Sequence, residues 1–144
     1  MSAIAPQRRC YLPLTTDQAQ ELHEHGALSG DLVAFLVTES VRRSDPEGDE
    51  EVWEWAALQD AAGYCRDHDL SVLVAAADVA QDTIDATSPQ GSRVIVHGPV
   101  TLPRIASLHL GDDVVGDGSP VADDEVIELS WYDATELAEV RSLL

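Results

Sequence analysis

Residues 72–77 form an unbroken apolar run, no shorter than any other in the chain, and residues 32–38 are apolar in all but the last position. A run without alternation leaves no side for solvent. At this length each run predicts a strand covered on both faces. The fold must then supply a layer above its sheet and another below it. Neither run approaches the length of a membrane span.

The covering layers are legible as helices. Thr15 and Gln18 have the spacing of a capping box, in which the hydroxyl takes an orphan amide and Gln18 reaches back to the cap. Gly26 is placed to stop that helix in the left-handed region. The most regular helix is predicted over residues 50–68. Asp49, Glu50 and Glu51 put carboxylates at the positive end of its dipole, and Val52, Gln59, Ala62 and Cys65 begin a broad stripe. Further strands are expected over residues 9–14, 93–100, 105–110 and 126–131. A short helical turn is expected at 39–43 and a terminal helix from Asp133 onward. Residues 78–89 read as a connection and 112–125 as an acidic loop. The predicted fold is a single α/β domain over residues 1–144. It has a mixed β-sheet of about five or six strands, its first half wound by crossovers, packed by about three or four helices.

Charge narrows the function. The chain has 27 Asp and Glu against 8 cations, a net charge of −19, and every cation is an arginine. Without lysine there is no phosphate-binding Lys loop, no Schiff base and no Ser–Lys dyad. Such an excess of carboxylate opposes nucleic acid and anionic membranes, both of which need clustered cations. The apolar share of 44% is that of a folded domain, but aromatics make up only 5%, so Ala and Val must build the core. Cys10 and Cys65 form no Cys-x-x-Cys and read as buried, reduced thiols. Residues 1–10 carry arginines with no apolar segment behind them, so no signal peptide is expected and a cytoplasmic location is.

Tyr11-Leu12-Pro13, Gly48-Asp49-Glu50-Glu51 opening an Ala-rich helix, and Trp131-Tyr132 before a terminal helix resemble an uncharacterised family of small actinobacterial proteins. The likeness covers most of the chain and implies a bacterial cytoplasmic protein. That family has no assigned activity, so the resemblance implies no catalytic residues. A GC-rich coding sequence would itself give this lysine-free composition.

Two constellations compete as sites. Residues 86–111 contain no Asp or Glu, yet hold Arg93, His97, Arg104 and His109, and the first sixteen residues, with Arg8 and Arg9, also lack acids. If these strands are neighbours they make one positive patch, able to grip a phosphate or carboxylate through paired N–H donors. The competing reading is that the arginines pair with surplus carboxylates. Alternation puts Arg93, Ile95 and His97 on one face of their strand, and Ser107 with His109 on one face of theirs. Two histidines need a third ligand to hold zinc, and Asp112 or Asp113 lies close in sequence, but no His-x-His, His-Glu-x-x-His or Cys-x-x-Cys spacing occurs around them, and His23 and His25 point to different sides of the first helix. Neither a metal nor a cofactor is expected. From Asp113 the calcium-loop template finds Asp117 and Gly118 but fails at Val115 and ends on Asp124, so a solvated loop is the reading.

The second constellation is the acidic start of the long helix, Glu51, Trp53, Glu54 and Trp55. Its two tryptophans lie about 200° apart around a helix, so one faces inward and the other solvent. A tryptophan rimmed by carboxylates suits a basic protein partner. The leading expectation is therefore a non-enzymatic accessory or interaction domain, acting through a protein partner or by self-association as a homodimer. The alternative is a small enzyme or ligand-binding protein that holds an anionic metabolite near residues 86–111.

Overall fold

The computed structural model describes residues 6–85, 91–115 and 126–144. In chain order its elements are β1 (Gln7–Pro13), α1 (Thr16–His25), β2 (Ala27–Leu28), β3 (Asp31–Phe35), α2 (Glu39–Ser44), α3 (Glu50–Asp67) and β4 (Leu73–Ala80). There follow β5 (Ile84–Asp85), β6 (Arg93–His97), β7 (Val100–Thr101), β8 (Ile105–Gly111), α4 (Asp112–Val115), β9 (Leu129–Asp133) and α5 (Leu137–Leu143).

Seven strands form one sheet in the order β5-β6-β3-β1-β4-β8-β9, and β2 pairs with β7 in a two-stranded ribbon. The α/β class holds. The strands outnumber the expectation because β2, β5 and β7 have two residues each, too few to leave a periodic signal. The expected mixed sheet is corrected: every pairing among the described residues is antiparallel. The unbroken apolar runs in β3 and β4 reflect cover on both faces, which does not depend on strand direction.

Each face has its own core. Leu12, Leu73, Ala75, Val96, Leu108 and Leu110 point to one side, where Leu22 of α1, Leu137 and Val140 of α5, and Leu28 and Val100 of the ribbon close over them. Tyr11, Phe35, Val74 and Ala76 point to the other side and meet Ala57, Ala61, Ala62 and Cys65 of α3. Alanines on its buried stripe let α3 lie close over β1, β3 and β4.

The ribbon is the β3–β6 ladder continued after a bend. Asp31 pairs with His97 before the bend and Leu28 with Val100 after it. At the bend the Gly98 amide donates to the Gly30 carbonyl at 2.8 Å. A Cβ on Gly98 would stand 2.7 Å from that same oxygen, so only glycine allows the backbones to approach this closely.

Local signals set the helix ends. Thr15 and Gln18 form the expected reciprocal cap, and Gly26 stops α1 at φ 70°. Asp49 accepts from the Val52 amide at 2.9 Å to start α3. Asp133 and Glu136 cap the single 3-10 turn that leads into α5. Cys10 and Cys65 are free and buried, and burial pushes their thiols up to about 12 and about 11. No helix among the described residues is long and apolar enough to cross a membrane. Of the calcium-loop residues, Asp117, Gly118 and Asp124 lie outside the described residues.

Candidate functional site

The four anion-binding candidates do not come together. Three strands, β3, β1 and β4, separate β6, which carries Arg93 and His97, from β8, which carries His109. The same order keeps β1, with Arg8 and Arg9, from lying beside either. The expected single positive patch is therefore three separate places, and most of its cations are engaged locally. Arg93 lies over the Tyr64 ring at 5.3 Å, and Tyr64 stacks on His68 at 3.9 Å, beside an open depression of about 420 Å³. His97 is exposed, with Nδ1 2.7 Å from Asp31 and Nε2 4.0 Å from Asp85. The hydrogen bond to Asp31 holds its pKa above the ordinary value. Arg104 and His97 line a cleft of about 180 Å³, together with Asp78, Thr83 and Thr101.

The tryptophans of α3 divide as the helical angle requires. Trp53 is half-buried, its Nε1 donates to the Asp45 carbonyl at 3.0 Å, and the Arg42 guanidinium lies 5.7 Å from its ring. Trp55 is 51% exposed. Glu51 is exposed, whereas Glu54 turns toward the sheet, where its charge acts on Tyr11 and Arg9.

Trp55 belongs to a larger surface. One turn further along α3, the Gln59 side-chain amide makes two hydrogen bonds with the backbone of Ile127, each 2.9 Å. A side chain thus stands in for a peptide group and ties the chain entering β9 to the flank of α3 that carries Trp55. Along β9, Leu129 packs against the α3 core. Alternation puts Trp131 on that same face, and it is 62% exposed. With Val52 and Val126, at 44% and 59%, these two stretches supply four of the five large apolar side chains exposed among the described residues.

The sheet surface beside Trp131 forms a polar floor. Trp131 lies across from His109 on β8, and His109 across from Val74 on β4. His109 Nε2 and Ser107 Oγ share a hydrogen bond of 2.9 Å. Burial first, then the nearby Arg9 charge, lower the His109 pKa, so the imidazole is neutral at pH 7. Across β4 from it, Arg9 Nε donates to Asp78 Oδ1 at 2.8 Å, and Nη2 to Oδ2 at 3.2 Å. Burial and Glu54 push the Tyr11 hydroxyl up to about 12. These ionisable groups answer one another within the floor. The described residues hold no group of three or more His, Cys, Asp or Glu able to bind a metal ion.

The sequence marks Trp55 through its acidic setting, and it marks Ser107 with His109 through alternation. It offers Trp131 only as part of a family-like dipeptide, because the exposure of Trp131 depends on β9 being the outermost strand. In comparison with known proteins, one family model matches residues 8–140, described as a family of unknown function (DUF6912). No curated protein and no solved structure matches the chain.

Proposed function

The chain belongs to this family of unknown function, and we propose that it is an interaction domain that receives a basic protein partner on the face shared by α3, β8 and β9. The observation that carries this reading is the pair Trp55 and Trp131, each more than half exposed, on one side of one sheet. Exposed apolar groups gathered in one region mark contact surfaces, and tryptophan supplies much of the energy at such surfaces. The partner's charge follows from the setting. Glu51, Glu54, Glu128 and Asp133 lie along the two stretches, on a chain of net charge −19. Cations on the partner would be steered toward them and held in register. The same charge disfavours nucleic acid, an anionic membrane and a second copy of this chain. A bacterial cytoplasmic location accompanies the reading, in keeping with two free, buried thiols.

The test is retention of a partner by immobilised protein across a salt series, with identification by mass spectrometry. A basic partner should be held at low salt, released as salt rises, and lost from a Trp55→Ala/Trp131→Ala double variant that still folds. Equal retention by that variant would refute the reading.

A second reading rests on Arg104, which makes no ion pair among the described residues although carboxylates abound. A small anion in its 180 Å³ cleft would raise the melting temperature, because a ligand that binds only the native state stabilises it. Screening phosphates and carboxylates against wild type and Arg104→Ala decides this. No shift with any anion removes it.

A further inference from the structure

We propose that the partner docks on β9 as an added eighth strand, so that the surface recognises an extended basic segment. This rests on the interaction reading above and specifies how its partner binds.

The directions of the backbone groups carry the inference. In β8 the Gly111 amide donates to the Val72 carbonyl, on the β4 side. Backbone groups alternate sides along a strand. His109 and Ser107 therefore also face β4, while Leu108 and Leu110 face β9. Their partners in the register are Tyr132 and Ser130, which spend their amides and carbonyls inward. Leu129, Trp131 and Asp133 must then point their backbone groups outward. The Asp133 amide is already taken, donating to Glu136 Oε1 at 3.1 Å. Leu129 and Trp131 each keep an N–H and a C=O, about 6.8 Å apart, with no strand beyond them among the described residues.

Such an edge is usually blunted by lysine, proline or a bulge. Leu129–Asp133 has none of these: it reads Leu-Ser-Trp-Tyr-Asp and pairs with β8 in unbroken register. The opposite edge, β5, is only two residues long. A strand added at β9 would form main-chain hydrogen bonds with Leu129 and Trp131 and lay alternate side chains beside the Trp131 ring. Residues 126–136 contain three carboxylates and no cation. The matching segment therefore carries Lys or Arg in alternation with apolar residues, and a cation over the exposed indole adds to its attraction. A second β9 would bring the same acids against themselves.

The probe is a capped eight-residue peptide alternating lysine and valine, compared with the same peptide N-methylated along one edge. Amide exchange of Leu129 and Trp131 is followed by NMR, and binding by tryptophan fluorescence at low salt. The inference expects the unmodified peptide to bind and to slow exchange at both amides, and the N-methylated peptide to protect neither. Leu129→Pro, which deletes one outward N–H, should bind about two- to tenfold more weakly than Leu129→Ala, which keeps it. If both peptides bind equally through Trp55 and Trp131 while the β9 amides exchange as before, strand addition is wrong and the interaction face stands. If neither binds, the interaction reading falls with it. The exchange measurement on wild type decides the matter even should Leu129→Pro fail to fold.

Discussion

The two faces of the sheet are closed by different means. On one, leucines from β1, β4 and β8 are met by α1, α5 and the β2–β7 ribbon, and Leu12, Leu22, Leu28, Leu108 and Leu110 are essentially inaccessible. On the other, a single helix faced with alanine covers β1, β3 and β4, leaving Trp131 and the half-buried His109 beyond its flank. Large side chains fill a wide gap, whereas small ones allow close approach but cover little sideways. The difference divides the sheet: the leucine face is sealed, and the alanine face keeps an uncovered strip beside α3.

The comparison breaks most readily at the leucine face. Leu108→Ala empties a fully buried site and should cost about 2–5 kcal/mol in chemical denaturation. A loss like that of a surface change would mean this face is not the principal core. Next comes Ala61→Leu, which forces a larger side chain between α3 and the sheet where there is no exposed area to absorb it. It should cost about 1–3 kcal/mol, and neutrality would show that α3 does not pack closely. Trp131→Ala sharpens the contrast in the other direction, since it should change stability by only about 0.5 kcal/mol while removing about 2 kcal/mol or more of partner binding.

The smallest effects are electrostatic and of opposite sign. His109 has its pKa lowered by burial. Its contribution to stability is complete above the unfolded value near 6.5 and is lost as pH falls through the lower folded value. His97, raised by Asp31, behaves inversely: its contribution is present below about 6.5 and is lost as pH rises through the higher folded value. An NMR titration should place the His109 midpoint below 6.5 and that of His97 above it. Coincident midpoints would deny that the floor beneath Trp131 is desolvated.

What could be read from the chain divides along the same line as local and non-local physics. The Thr15–Gln18 box, the Gly26 stop and the Asp49 cap depend on residues within one turn of each other, and each is found where its spacing places it. The α3 helix was legible nearly to the residue for that reason. The last strand was legible as a strand but falls at Leu129–Asp133, three residues beyond the expected start at 126, because Gln59 holds Ile127 against α3. Strand order was not legible at all. Whether Arg93 and His109 are neighbours depends on which strands lie between them, and nothing in either segment encodes that. The open face was half visible: Trp55 announces itself among acids, but Trp131 becomes a surface feature only once β9 is known to be outermost.

The place of β1 in the sheet has a consequence for how the protein must be made. Of the described strands it leaves the ribosome first, yet it lies in the middle, with Gln7 opposite Ala80 and Tyr11 opposite Phe35. Its main partner does not exist until β4 has been synthesised, and its leucine side is not sealed until α5 arrives. Pairings between strands so distant in sequence form slowly. During translation residues 10–13 of β1 are thus an apolar stretch without its neighbours, the kind of stretch that chaperones hold. On this plan the face that carries Trp131 is complete only once β9 has been added beside β8, long after β1 has been made.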